Sequence, residues 1–299
     1  MTEKCRMVWI TASCNFRRWK GNMRIAAAFG LAFILCFLLT DKTIQFAEEC
    51  GSTMQVTEAF IWSFGDSNSI LLMSLLLLLL FADMPFITPA TPFFLSRCSR
   101  KIWVAGQLLY IIMATFFYLL FVLFSTCVLC FRYAYPANIW SRTAANLAYS
   151  EAGQELALPA TAKIVEMSRP WQVTLWIFGL LLLYALVMVF LMLFCNLKKG
   201  PVAGVIGALM FSVYGALLNP ENISVLFHLP DELYYKARVW AGWLSPLNHA
   251  TFSMHDFGYD LLPTLQQTGL IFAGIFLALI FFVIRALKRY SFEFRGTRT

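Results

Sequence analysis

The chain has 299 residues, 60 % of them hydrophobic and 13 % charged, with a formal net charge of +7. Soluble domains carry about 25 % charged residues, so this balance excludes a soluble globular enzyme. The positive charge is spread through the gaps between apolar runs, a topology signal that excludes a nucleic-acid patch.

Residues 1–22 open the chain with a basic amphipathic helix. Cys5, Trp9, Ala12, Phe16 and Trp19 recur at helical spacing on one stripe, and Arg6, Arg17, Arg18 and Lys20 fall away from it. Such a helix lies flat in a headgroup layer. About 24 polar residues before the first apolar run also argue against a cleaved signal peptide.

Six runs then follow without a single Asp, Glu, Lys or Arg: Ile25–Thr40, Ser69–Ala82, Ile102–Phe131, Trp171–Cys195, Pro201–Leu218 and Leu261–Ile284. A membrane-spanning helix needs ~20 mostly apolar residues, because nothing in the bilayer core satisfies an open backbone. The two short runs reach that length as Met23–Lys42 and Ala59–Ala82. The fold expected is an all-α membrane protein, a single transmembrane domain over residues 1–299 with six spans. Asp66 marks the outer boundary of the second.

Between the second and third spans, residues 83–101 crowd three of the chain's prolines, Pro85, Pro89 and Pro92, ahead of Phe93, Phe94, Arg97, Arg100 and Lys101. This aromatic and basic knob is either a functional loop or a membrane-hugging turn. Cys127 and Cys130, at i,i+3 in the third run, read as small packing residues. The outer segment 132–170 is long enough for two short helices, Trp140–Tyr149 and Ala160–Met167, around Ala157-Leu-Pro159. In the fifth run Gly204, Gly207 and Gly215 suit close helix association between two copies. The last outer segment, 219–260, is apolar, and Ala237–Ser253 has the pattern of a re-entrant hairpin pivoting at Ser245-Pro246.

Charge sorts these gaps into two sets. Residues 1–24, 83–101, 196–200 and 285–299 hold sixteen Lys and Arg against three Asp and Glu, a balance of +13. The alternate gaps hold the remaining seven basic and thirteen acidic residues, a balance of −6. Lys and Arg accumulate on the cytoplasmic side of short loops, which puts both termini inside.

Chemistry-bearing motifs are few. No Gly is followed by Lys, so there is no P-loop. The three histidines, His228, His249 and His255, all lie in the last outer segment. With Asp256, the latter two give an outer-face enzyme reading, although interfacial residues explain them more simply. Asn222-Ile-Ser224 fits a glycosylation acceptor, a frequent chance pattern. Charge-free spans argue against ion coupling. Energy for any uphill transport then comes from another chain.

The order of features resembles type-2 ABC exporter permeases, the membrane subunits of bacterial bacteriocin, lantibiotic and multidrug efflux systems. The resemblance rests on Phe16-Arg-Arg-Trp19, Asp83-Met-Pro-Phe86, Arg97-x-x-Arg-Lys-x-Trp103-x-x-Gly106-Gln107, Asn196-Leu-Lys-Lys-Gly200 and Leu244-Ser-Pro-Leu247, in that order. It covers most of the chain. It implies a subunit of the bacterial cytoplasmic membrane, not itself an enzyme, that works with a second copy or a sister permease and surrounding lipid. Each copy would bind a cytosolic ABC ATPase that holds ATP and magnesium, while this chain carries no cofactor, metal or nucleic acid.

The resemblance also assigns residues. Pro92, Phe93, Phe94, Arg97, Arg100 and Lys101 would form the coupling helix docking on the ATPase. Trp9, Phe16, Arg17, Arg18 and Trp19 would belong to a connecting helix touching the same partner. Trp243, Leu244, Ser245 and Pro246 would cap the pathway as an outer gate. The cargo implied is an amphipathic peptide or lipid-like compound moving outward. Segment 132–170 is longer than the family pattern. A non-transporting sensor or interaction protein is the remaining alternative.

Overall fold

A computed structural model describes residues 3–86, 91, 96, 98–150, 152–258, 260–288 and 290. The protein is an all-α membrane protein. Four of its described helices are long and apolar enough to cross a bilayer, or six if each of two bent pairs counts as one span. Besides helices there are two two-residue strands, Met54–Gln55 and Ala134–Tyr135, paired in parallel.

Helix α1 (Glu3–Arg17) ends at a turn through Gly21, and the Asn22 side chain caps α2 (Met23–Glu49) by accepting from Arg24 N–H. The buried residues of α2 are Ile25, Ala28, Ala32, Cys36, Thr40, Thr43 and Ala47. They recur every three or four positions, as one helix face must. The opposite face shows Leu31, Ile34, Phe37 and Leu38, an apolar surface that suits lipid contact. The helix outlasts its apolar run: Gln45 donates to Asp41 at 2.8 Å, and the Lys42 ammonium donates to Leu156 O at 3.2 Å.

The second run does not form one straight helix. Its first part is α3 (Glu58–Phe64), and after Gly65 the chain turns by 90° into α4 (Ser67–Leu75) and α5 (Leu77–Phe81). The cause is local. Asp66 takes an extended backbone, and its carboxylate accepts from the N–H groups of Asn68 and Ser69 at 3.0 and 3.2 Å, an N-cap that starts a new helix. Asp66 is therefore the hinge of a bent element.

Helix α6 (Arg100–Leu129) is capped by Ser99. The next segment forms three short helices, α7 (Arg142–Tyr149), α8 (Ala152–Glu155) and α9 (Ala162–Met167), close to the two expected. They sit on α3: Ser141 donates from N–H and hydroxyl to the buried Glu58 carboxylate at 2.9 and 2.6 Å, and Trp140 stacks on Trp62 at 5.6 Å. Cys130 donates its thiol to Val56 O at 3.4 Å, consistent with a packing role.

The hub is α10 (Pro170–Lys199), which touches α3, α5, α6, α11 (Pro201–Leu217) and the last helix. Gly200, at φ 91°, makes the tight reversal from α10 to α11. The α11 glycines pack within the chain rather than offering a face to a second copy. A Cβ on Gly204 would lie 1.6 Å from Asn196 Oδ1, one on Gly207 2.9 Å from Cys195 Sγ, and one on Gly215 2.9 Å from Leu247 Cβ. Beyond α11 the chain bends by 73° into α12 (Pro220–Leu226). It continues through α13 (Tyr234–Leu244) and α14 (Pro246–Ala250) to α15 (Leu265–Lys288).

The four basic segments meet at one end of this frame. Arg24 pairs with Asp83, and the Asn196 amide donates to Ala82 O and Met84 O at 3.1 and 2.6 Å. Arg100 and Lys101 share a cleft with Ile284 and Leu287, and Lys198 shares another with Arg285. The charge sorting read from the sequence is thus a physical segregation.

Candidate functional site

At the basic end, α1 is docked on the first half of α6. Gly106 permits the approach, since a Cβ there would lie 2.5 Å from Thr11 Cβ. Asn15 Nδ2 donates to Gln107 Oε1 at 3.0 Å, both residues buried, and Trp19 Nε1 donates to the Tyr110 hydroxyl at 2.9 Å. The Phe16 ring meets Tyr110 edge-on at 4.8 Å, Trp19 packs on Phe29 at 5.4 Å, and the Arg18 guanidinium lies 4.4 Å from the Phe86 ring centre.

The face that α1 packs on the protein overlaps only in part with the stripe expected to lie in the headgroup layer. Phe16 and Trp19 pack inward as read, and Arg17 is exposed as read, but Trp9 is 49 % exposed and Cys5 is exposed too. Thr11 and Asn15 take the inner positions. The sequence hid this because a buried polar residue that finds a polar partner looks, in isolation, like a surface residue. Of the residues assigned to coupling, Pro92, Phe93, Phe94 and Arg97 lie outside the described residues. Arg100 and Lys101 are exposed on the first turn of α6 and border an apolar cleft of about 600 Å³ formed with Val104, Leu108, Ile284 and Leu287.

At the other end, α13 and α14 form a bent hairpin that breaks at Ser245-Pro246, as the sequence indicated. Ser245 is extended (ψ 119°) and Pro246 occupies the first helical position of α14, where its missing N–H costs nothing. The buried Ser245 hydroxyl donates to Gly215 O at 2.8 Å and accepts from Asn248 N–H at 3.3 Å. Asn248 Nδ2 donates to Leu218 O and Ala241 O, each at 3.1 Å. Since α11 ends at Leu217, its last carbonyls lack helical partners, and the hairpin supplies them. Trp243 and Leu244 point outward, although Trp243 Nε1 donates to Leu261 O at 3.0 Å. Ser245 and Pro246 thus anchor the hairpin, while Trp243 and Leu244 form its exposed rim.

Behind the hairpin lie two buried histidines. His249 Nε2 faces Trp243 O at 3.1 Å and its Nδ1 faces Thr268 Oγ1 at 3.0 Å. His255 Nδ1 faces the carbonyls of Thr251 and Phe252 at 3.0 and 3.2 Å, and its Nε2 faces the same Thr268 Oγ1 at 3.0 Å. Burial lowers both imidazole pKa values, that of His255 to about 4. Asp256 does not join them: its Oδ1 accepts from the N–H groups of Gly258 and Asp260 at 2.7 and 3.0 Å. Among the described residues no group of three or more His, Cys, Asp and Glu could hold a metal ion.

No known protein family, curated protein or solved structure matches the chain. The site is therefore interpreted from its own chemistry. Glu58 is the only buried Asp, Glu, Lys or Arg among the described residues, and it is held by Ser141. The frame otherwise buries hydroxyls, amides, the two imidazoles and apolar side chains.

Proposed function

We propose that this chain is the membrane subunit of an ABC exporter in a bacterial cytoplasmic membrane. It would move an amphipathic peptide or lipid-like compound outward, using ATP hydrolysed by a separate cytosolic subunit. One observation carries this reading: α1 is clamped to α6 where the basic segments converge, below a frame whose described interior buries a single Asp, Glu, Lys or Arg. With no nucleotide motif in the sequence and one buried Asp, Glu, Lys or Arg among the described residues, work for uphill transport would enter from outside the frame. The basic end is where it would enter.

The Lys and Arg bias makes that end cytoplasmic. Arg100 and Lys101 stand at a helix N-terminus, where cations oppose the helix dipole by ~0.3–1 kcal/mol each. Partner carboxylates or lipid phosphates would relieve that opposition. The loop carrying Pro92, Phe93, Phe94 and Arg97 would dock on the ATPase, and α1 would transmit its movement to α6. At the outer end the Ser245-Pro246 hairpin would gate a pathway formed with a second copy or a sister permease. The outer-face enzyme reading draws no support from the histidines, because every ring nitrogen of His249 and His255 faces an atom of the chain.

Inverted membrane vesicles holding this chain and a cytosolic ABC ATPase co-purified with it test the proposal. ATP should drive a labelled amphipathic peptide or lipid analogue into the lumen, and an ATPase unable to hydrolyse should abolish the uptake. Vesicles that bind ATPase yet accumulate no amphipathic compound would overturn the export reading.

A further inference from the structure

The histidine pair behind the hairpin has one proton too few for its contacts. A backbone carbonyl accepts and never donates, so His249 Nε2, facing Trp243 O, carries a proton. His255 Nδ1, facing two carbonyls, carries one as well. In neutral rings the other nitrogens, His249 Nδ1 and His255 Nε2, are then acceptors. Both lie 3.0 Å from the Thr268 oxygen. A threonine hydroxyl has one hydrogen. Three protons therefore serve four links, and one ring nitrogen is left with its lone pair against an oxygen lone pair.

One added proton removes the conflict. If it sits on His249 Nδ1, that ring donates to Thr268 Oγ1 and the hydroxyl donates to His255 Nε2. If it sits on His255 Nε2, the chain of donation runs the other way. The two arrangements differ only by moving protons along the same contacts. A second proton would make both rings donors to one oxygen and leave the hydroxyl hydrogen without an acceptor between two cations.

We propose that His249, Thr268 and His255, where the α13–α14 hairpin meets the start of α15, form a binding site for a single shared proton. With the proton bound, Trp243 O, both rings, Thr268 and the carbonyls of Thr251 and Phe252 are joined in one unbroken line. Without it, one ring lacks its link to Thr268, while burial opposes the charge that the added proton brings. This inference rests on hydrogen-bond geometry alone and stands whether or not the chain exports anything.

The surroundings leave the titration to the pair. Lys236 and Arg238 of α13 are exposed, and α14 has no charged residue besides His249. In the 251–264 segment, Asp256 is turned onto the Gly258 and Asp260 amides, and Asp260 pairs with Lys163 of α9. The face of α15 near Thr268 brings the Phe272 ring, 6.1 Å from His249. Helix α10, packed on the 252–254 turn, carries no Asp, Glu, Lys, Arg or His from Pro170 to Leu197. The only described charge that acts on His255 is that of His249. Burial places proton uptake below the usual imidazole range.

The test is a ¹⁵N nuclear magnetic resonance titration of the full-length, histidine-labelled protein in lipid nanodiscs, from about pH 8 to about pH 4. At the upper limit His249 should report the Nε2–H tautomer and His255 the Nδ1–H tautomer. Together the two should take up a single shared proton, about half bound at the lower limit, with both signals moving in the same step. Thr268→Ser should preserve that behaviour. Thr268→Val removes the shared hydroxyl and should weaken proton affinity about tenfold. Two protons bound by the pair, none bound, or the same tautomer at both rings would overturn the proposal. The wild-type and Ser measurements decide the matter even if the Val variant does not fold.

Discussion

Replacing Ser245 with Ala removes a single hydroxyl that joins the hairpin to the end of α11. Three carbonyls at that end are satisfied from outside the helix: Gly215 O by Ser245 at 2.8 Å, Leu217 O by Asn222 at 3.0 Å and Leu218 O by Asn248 at 3.1 Å. Losing the first leaves a buried acceptor unpaired, which costs ~1–3 kcal/mol. The same hydroxyl caps α14 through a rather long 3.3 Å bond to Asn248 N–H, and losing an N-cap costs ~1 kcal/mol at most here. Hydrogen bonds between membrane helices are often worth only ~0.6 kcal/mol, because the unfolded chain finds other partners. That discount is smaller for Gly215 O, whose position in the intact helix brings it no other described donor. The net expectation is a loss of about 2 kcal/mol, at the middle of the range for an orphaned carbonyl. Denaturant unfolding in detergent, followed by tryptophan fluorescence, measures it. Asn248→Ala, which leaves the Ser245 hydroxyl in place but frees Leu218 O, should also lower stability, by ~1–3 kcal/mol for the orphaned acceptor. A Ser245→Ala protein as stable as the parent would refute the claim that the hairpin caps α11.

Other consequences follow from neighbouring contacts. Gly106→Val should force α1 off α6, at ~1–3 kcal/mol for overpacking, and Trp19 emission should shift as its ring leaves Tyr110 and Phe29; an unchanged spectrum counts against the docked α1. Gly204→Ala should push Asn196 away from Ala82 O and Met84 O and lower the unfolding midpoint, whereas a loss of self-association with unchanged unfolding would return this glycine face to a role between copies. Acidification should destabilise the protein. His255 binds its proton near pH 4 when folded and near ~6.5 when unfolded, so the unfolded state holds more protons between those values and stability falls as pH drops through them. His255→Gln should flatten that slope in unfolding curves taken at several pH values. In intact cells Cys50 should react with an impermeant maleimide and Cys98 should not; the reverse pattern would invert the proposed orientation.

Much of this architecture was legible because it follows from what a bilayer forbids. A run such as Trp171–Cys195 has no soluble alternative, and the pivot at Ser245-Pro246 combines a capping residue with a residue that starts helices. The second run misled because Leu and Phe on both sides of Gly65-Asp66 outweighed the stop-and-start signal those two residues give. The face that α1 packs on α6 was not legible for a different reason: Asn15 is buried only because Gln107, 92 positions away, is there to accept from it. The glycines of α11 show the same limit, since small residues announce a close approach but not to what. The link between His249 and His255 depends on Thr268, whose place between them no spacing reveals.

The central claim is that an ATP-hydrolysing partner drives this subunit through its basic end. Affinity purification of the full-length chain from native membranes in mild detergent, with cross-linking and quantitative mass spectrometry, tests it most directly. The account predicts an ABC ATPase recovered in equal amount with the permease copies, lost on combined Arg100→Glu and Lys101→Glu substitution while the chain remains inserted. Recovery of the chain alone, or with a histidine kinase and no ATPase, would contradict it.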